Sequence, residues 1–292
     1  MKIWITGCAG FLGTRLAQQL APENIVIGLS RRPSLAATHS VEVDLSHPDS
    51  EETIQRTIDT FGPPEVVIHA ASRQPGLGSF AAFTRSNVTA TQYLVDGLAA
   101  SPPRQLIFTS TLSVYSTTRK LPLTEAHPAS ASTPYAATKR WAEQVVATLR
   151  GRQVIVLRLP SLYGLGQADS FIDGLAKTAL NGDPIELFSR GEVVREALHV
   201  SDVVRAVATC IRTPPAEMID TINLGNGKAI KTLEYAEALV AALESESKIT
   251  VSDRTTSHVD AYADISRARK LINFRPTDLK EAMRIYAAEL RA

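Results

Sequence analysis

The sequence predicts an α/β fold: a doubly wound parallel sheet with a smaller, intertwined C-terminal part. Three observations carry this. Short, nearly all-apolar runs rich in β-branched residues alternate with amphipathic stretches through the N-terminal half, as strands buried on both faces of a parallel sheet require. A glycine-rich run, Gly7-Cys8-Ala9-Gly10-Phe11-Leu12-Gly13, separates the first apolar run from the first amphipathic stretch. The regular alternation fades after about Tyr163, so residues 1–163 are expected to form the core domain and residues 164–292 a smaller part interleaved with it.

The elements follow in order. Lys2 to Thr6 reads as a strand, and Leu12, Leu16 and Leu20 mark one face of a first helix. Ile25 to Leu29 is a second strand and Val41 to Val43 a short third. Ser50 to Phe61 is helical, with Ile54 and Ile58 on one face, and Val66 to His69 is the next strand. Asn87 to Ala100 reads as a helix, Leu106 to Phe108 as a strand, Tyr135 to Leu149 as a helix and Val154 to Leu157 as a strand. Beyond them, helices are expected at Phe171 to Leu180, Asp202 to Ile211, Thr232 to Leu243 and Leu279 to Leu290.

Composition excludes several classes. Hydrophobic residues are 44% and charged residues 21% of the chain, as in ordinary globular proteins and unlike disordered ones. Lys and Arg number 31 against 30 Asp and Glu, a net charge of +1, so no overall field favours nucleic acid or a membrane surface. No apolar run approaches the ~18 residues of a membrane span. Two cysteines, Cys8 and Cys210, form no disulfide framework, and no metal-ligand spacing is present, so no metal is expected. The first residues read as a strand and not as a targeting segment, which makes the cytoplasm the expected location.

The glycine run sits between a strand and a helix, the context in which it binds a dinucleotide. Gly7 and Gly10 allow the tight turn and close approach of a pyrophosphate, and Gly13 lets helix and strand pack closely. Phe11 and Leu12 complete the loop that presents the helix N-terminus to the phosphates. An NAD site usually carries an acid at the end of the second strand, gripping the ribose 2′-hydroxyl. Here the strand ends Leu29-Ser30-Arg31-Arg32. Ser30 can donate to a 2′-phosphate, Arg31 can pair with it or stack on adenine, and Arg32 adds charge. NADP(H) is therefore the expected cofactor, with NAD(H) possible; the plain alternative is two solvated loop arginines.

Tyr135 and Lys139 stand four apart, on one face of the predicted helix. A neighbouring ammonium favours the phenolate, which would let Tyr135 act as acid or base near neutral pH, while Lys139 could also hold the nicotinamide ribose. Pro134 suits the first helical position. The run Thr109-Ser110-Thr111 leaves a strand at its carboxyl end, where ligands bind in open α/β sheets.

Together these residues resemble the extended short-chain dehydrogenase/reductases, specifically the NAD(P)-dependent epimerase/dehydratase group acting on nucleotide sugars, with its Rossmann-type fold. The resemblance spans nearly the whole chain. Thr6 to Gly13 is similar to the family's TGxxGFxG loop, Asp44-Leu45 to the pair at adenine, His69-Ala70-Ala71 to its HAA strand end and Asn87 to Thr91 to its NvxGT helix. Tyr135 and Lys139 match the catalytic pair, and aligning Val114-Tyr115 with the family's VYG places the catalytic hydroxyl at Thr111, which would also contact substrate. Leu157 to Gly164 resembles LRxxxxYG, and Arg195 with His199 to Val203 resembles an element whose Arg meets substrate phosphate. The resemblance thus implies cofactor contacts at Ala70, Ala71, Ser72, Asn87 and Pro160 besides the glycine loop, Asp44 and Leu45. It also implies a homodimer built through the helix that bears Tyr135.

One departure narrows the activity. The 4,6-dehydratase branch has Asp-Glu after the catalytic Thr, and this chain has Leu112-Ser113, neither of which exchanges protons at neutral pH, so dehydration is disfavoured. An epimerase-type oxidoreductase is the leading expectation. A net NADPH-dependent carbonyl reductase is the alternative, and an NADP-sensing binding protein ranks below both, because such relatives commonly lack the Tyr or the Lys. His69 and His199 read as structural, and Cys8 as a small loop residue.

Overall fold

A computed structural model describes residues 1–76, 78–116, 120–149, 152–168, 170–255 and 258–292. The chain divides into two compact units. The first comprises Met1–Thr118, Glu125–Leu159 and Val204–Ile222, and the second Arg119–Thr124, Pro160–Val203 and Asn223–Ala292. The interleaving is thus deeper than one boundary at residue 163 describes: residues 204–222, beyond that boundary, belong to the first unit.

The first unit is a Rossmann-type sheet. Its strands are β1 (Lys2–Thr6), β2 (Ile25–Ser30), β3 (His39–Glu42), β4 (Val66–His69), β5 (Gln105–Thr111), β6 (Gln153–Leu159) and, at the far edge, β10 (Ile219–Asn223), in the order β10-β6-β5-β4-β1-β2-β3. The register runs Thr6 opposite His69, and His69 opposite Phe108. From β1 the chain first winds outward through β2 and β3, then returns to β4 on the other side. The order reverses between β1 and β4, the place where such sheets bind ligands beyond the strand carboxyl ends.

Helices α1 (Phe11–Leu20), α2 (Ser50–Phe61), α4 (Ala90–Gly97) and α5 (Pro134–Val146) cover this sheet. Ile27, Leu29, Ile54, Val67, Leu94, Leu106, Ala142, Val146 and Val156 form a continuous buried core, which explains why the strands read as unbroken apolar runs. The helix expected from Asn87 begins earlier. A short α3 (Phe80–Phe83) runs through a π-helical turn, Thr84–Thr89, into α4. Ser79 caps this start by accepting from the Ala82 N–H at 3.2 Å, and the glycines just before it had masked the boundary.

The second unit holds two small parallel pairs, β7 (Ser161–Tyr163) with β9 (Ala197–His199) and β8 (Ile185–Leu187) with β11 (Ile249–Val251). Its helices include α6 (Phe171–Leu180), α8 (Thr232–Leu243), α9 (Ser266–Ile272) and α10 (Leu279–Arg291); α7 (Val200–Arg212) runs from this unit into the first. Tyr163, Tyr235, Leu239, Met283 and Tyr286 are buried in its core. Strands of three residues show no period in a sequence, which is why the four were not anticipated.

Candidate active site

The glycine loop is a cradle with no room for side chains. Gly7 turns with φ +66°, and a Cβ there would lie 2.8 Å from the Ala71 Cα. A Cβ at Gly13 would collide with the Gly7 carbonyl oxygen and lie 2.8 Å from the Cys8 Cα. Gly7 N–H donates to the Leu29 carbonyl at 2.8 Å, and Gly10 N–H to the Gly7 carbonyl at 2.9 Å. Gly10 is the N-cap of α1 and offers no side-chain cap, so the first-turn N–H groups at Phe11, Leu12 and Gly13 are left for an anion. The adjoining strand end is held to β1: Ala71 N–H donates to Thr6 Oγ1 at 3.1 Å. These residues fit a dinucleotide pyrophosphate. Cys8 is fully buried, and burial pushes its thiol pKa up, which makes it inert and not a reactive thiolate.

At the end of β2, Ser30 Oγ donates to the Arg32 carbonyl at 2.7 Å, so its hydroxyl hydrogen is committed to its own turn. Arg31 and Arg32 are exposed. Burial pushes the Asp44 carboxyl up, but hydrogen bonds from Ser46 and the Arg31 charge hold it below the usual range. Arg31 thus lies within electrostatic reach of an acid as well as at the expected ribose end. Leu45, next to Asp44, is buried.

Thr111, Tyr135 and Lys139 come together at the carboxyl end of β5. Thr111 ends β5 and caps the following 3-10 turn, Leu112–Tyr115, by accepting from the Ser113 N–H at 3.1 Å. Thr133 caps α5 by accepting from the Ala136 N–H at 3.2 Å, with Pro134 in the first turn. This fixes Tyr135 at the head of α5, where the Thr111 side chain acts on its phenol and its ring meets Phe83 edge-on at 6.3 Å. Lys139, one turn on, is 2% exposed with its Nζ 4.2 Å from the centre of the Phe108 ring.

The ionisation differs from the expectation of a phenolate held by an ammonium. Burial pushes the Tyr135 phenol up to about 12 against a smaller opposing effect from Thr111. Burial also pulls Lys139 down to about 7, opposed by Glu143. Both groups are desolvated, so each leans to its neutral form.

Asn87 sits in the π-helical turn with its side chain engaged. Its Oδ1 accepts from the Arg73 N–H at 2.7 Å and its Nδ2 donates to Thr138 Oγ1 at 3.1 Å. It therefore ties the segment after Ala70, Ala71 and Ser72 to α5. His69 bridges Thr6 Oγ1 at 2.7 Å and Thr91 Oγ1 at 2.9 Å, and burial pulls its pKa down to about 3; it is a neutral structural cross-link. The sequence reading missed a buried group beside α5: Glu143 paired with Arg158 at 2.7 Å, both side chains at most 5% exposed. An apolar neighbourhood with one Glu and one Arg 15 apart gives no local signal of that pairing.

In the second unit, Pro160 directly follows β6. Arg195 stacks its guanidinium 4.8 Å from the centre of the Phe171 ring. Its Nε is buried without a hydrogen-bond partner, and burial holds its pKa below the usual range. A desolvated cation with an unused donor suits a phosphate oxygen. Among the described residues no group of three or more His, Cys, Asp or Glu could hold a metal, and no helix is long and apolar enough to cross a membrane.

A family model for the NAD dependent epimerase/dehydratase family matches residues 3–225. The chain belongs to that family. It is similar to the UDP-glucuronate 4-epimerase of Thermodesulfobacterium geofontis, at 27% identity over 93% of this chain and 90% of the relative. Among solved structures it is similar to MoeE5 in complex with UDP-glucuronic acid and NAD, at 26% identity and a TM-score of 0.84 over 100% of this chain and 99% of the other. The UDP-glucose 4-epimerase of Thermotoga maritima, at 21% identity and a TM-score of 0.87 over 100% and 99% of the two chains, shares the fold. This chain is therefore an NAD(P)-dependent enzyme of the epimerase family.

Proposed function

We propose that the chain is a sugar-nucleotide 4-epimerase working through Thr111, Tyr135 and Lys139. The observation that carries this reading is the convergence of Thr111, Tyr135 and the buried Lys139 at the carboxyl end of β5. The relatives support the substrate class: one is a UDP-glucuronate 4-epimerase, and MoeE5 is solved with UDP-glucuronic acid and with UDP-glucose.

The cofactor would rest its pyrophosphate on Gly7, Gly10, Phe11, Leu12 and Gly13, its adenosine end near Ser30, Arg31, Arg32, Asp44 and Leu45, and its nicotinamide half near Ala70, Ala71, Ser72, Tyr135, Lys139 and Pro160. Bound and oxidised, it supplies a hydride acceptor and a positive charge. Thr111 orients the sugar hydroxyl, and Tyr135, in the phenolate form that the positive charge of the bound cofactor would favour, takes that proton as the alcohol becomes a ketone. Because its neutral form is the stable one at pH 7, Tyr135 then holds the proton for return when the ketone is reduced on its other face. Lys139 holds the ribose and tunes Tyr135. Arg195 takes the substrate phosphate.

Arg31 and Arg32 support a preference for NADP(H) over NAD(H). A homodimer through α5 follows from the family resemblance, and the half-exposed Trp141 (54%) on that helix suits a buried partner face. The test is to denature purified protein, identify any retained dinucleotide, and incubate native protein with UDP-glucose and UDP-glucuronic acid. Epimer formed without net change of cofactor supports the reading. Stoichiometric NADPH consumption with a keto substrate, and no epimer, replaces it with the carbonyl reductase.

A further inference from the structure

We propose that the buried cluster of Glu143, Arg158 and Ser110 fixes the depth of α5 against the sheet, making Glu143 a positioning residue for the reaction at Tyr135. This rests on the reading of Tyr135 and Lys139 above. Two members are chain neighbours of reacting groups, and the third pairs with one of them across the sheet. Glu143 lies one helical turn beyond Lys139 on α5, and Ser110 directly precedes Thr111 on β5. Arg158 lies opposite Ser110 on β6. Tyr115 ends the 3-10 turn that Thr111 caps.

The bonds leave the carboxylate little freedom. Glu143 Oε1 accepts from Ser110 Oγ at 2.5 Å and Arg158 Nε at 2.9 Å, and Oε2 accepts from Arg158 Nη2 at 2.7 Å and Arg140 Nη1 at 2.9 Å. Arg158 in turn donates from Nη1 to the Tyr115 hydroxyl at 2.5 Å and lies over its ring at 4.8 Å. One carboxylate thereby joins α5, β5 and β6, with Arg158 adding the turn after Thr111. Apolar residues of the same volume would fill the space without the desolvation cost of two ions. A saturated ion pair has one geometry, whereas greasy side chains can slide, and a displacement of about 1 Å in a catalytic group can cost about a hundredfold in rate.

The cluster also faces Lys139. Around that amine stand Glu143 and Tyr135 on α5, neutral His69 on β4 and the Phe108 ring on β5, while Arg158 on β6 and Arg140 on α5 offset Glu143. Glu143 is the charge that favours the ammonium.

Four variants of the full chain separate the possibilities: Ser110→Ala, Glu143→Gln, Glu143→Asp and Tyr135→Phe. Each is compared with the parent by thermal melting, by the position of the Tyr135 resonance in 13C-tyrosine NMR (assigned by its loss in Tyr135→Phe), and by kcat and KM against pH with UDP-glucose. Ser110→Ala is expected to move the Tyr135 resonance and lower kcat about tenfold at unchanged KM, with its alkaline limb in place. Glu143→Gln keeps one acceptor oxygen, sets an NH2 donor in place of the other and removes the charge, so its alkaline limb moves to lower pH by half a unit or more. Glu143→Asp keeps the charge, leaves the limb in place and loses kcat through its shorter reach. Lower melting with an unmoved resonance, parental kcat and an unmoved limb in Ser110→Ala and Glu143→Gln would make the cluster structural only and overturn the proposal. Should Glu143→Gln fail to fold, Ser110→Ala decides alone. Parental turnover in Tyr135→Phe overturns the proposal together with the reading beneath it; an inactive Tyr135→Phe beside an unaffected Ser110→Ala overturns the proposal alone.

Discussion

Replacing Lys139 with methionine should stabilise the protein most at neutral pH and progressively less as pH rises. Lys139 is 2% exposed, and burial lowers its pKa from 10.5 to about 7. The unfolded chain therefore holds a proton on this side chain that the folded chain gives up between those two values. Folding is then favoured by rising pH, by about 1.4 kcal/mol per unit across that window. Between pH 7.5 and 9.5 the parent should gain about 3 kcal/mol relative to Lys139→Met. Methionine fills nearly the same volume without a charge to desolvate. Cys8, Cys210 and Tyr135 also titrate differently in the folded state, all raised by burial, but they are present in both proteins and cancel in the difference. The assay is urea unfolding of both at pH 7.5, 8.5 and 9.5, with the emptied protein. Two stability curves that stay parallel across this range would refute the argument, because they would mean that Lys139 keeps an ordinary ammonium in the fold.

Gly13→Ala should melt several degrees lower and lose dinucleotide binding, because the new Cβ strikes the Gly7 carbonyl and lies 2.8 Å from the Cys8 Cα, an overpacking worth about 1–3 kcal/mol; thermal melting with and without NADP+ reads both effects. Arg31→Ala should weaken NADPH about tenfold, the loss of about 1.4 kcal/mol, and leave NADH unchanged by fluorescence titration; equal losses for both would remove Arg31 from the specificity argument. Arg195→Gln should raise KM for a sugar nucleotide with little change in kcat, since a phosphate contact serves ground and transition states alike. His69→Gln should flatten the acid side of the stability curve. The folded His69 pKa of about 3 lies below the ordinary 6.5, so the parent loses stability as pH falls through that interval.

Features written in adjacent residues were legible in the sequence. The glycine loop follows a strand and opens a helix within a dozen residues, and Tyr135 and Lys139 share a helical face at their own spacing. Helices Ser50–Phe61, Phe171–Leu180 and Thr232–Leu243 form where their apolar periodicity put them. Features set by distant packing were not legible. Ser110, Glu143 and Arg158 meet only after β5, α5 and β6 are side by side, Glu143 being 33 residues from Ser110 and 15 from Arg158 in the chain. β10 joins the first sheet from beyond the fading of the alternation, since only its neighbour β6 defines it. The ionisation of Tyr135 and Lys139 is not legible in the sequence for the same reason: spacing puts the two groups on one helical face, while burial leans each to its neutral form.

The most direct test of the central claim uses UDP-glucose carrying deuterium on C4, incubated with the purified protein and its retained cofactor in ordinary water. A 4-epimerase acting through Tyr135 removes only the hydroxyl proton to the protein and returns the carbon-bound label to the opposite face. The account predicts UDP-galactose that retains deuterium at C4, no net change in cofactor, and no product with Tyr135→Phe. Epimer that has exchanged its C4 label with water, or that forms equally with Tyr135→Phe, would contradict it.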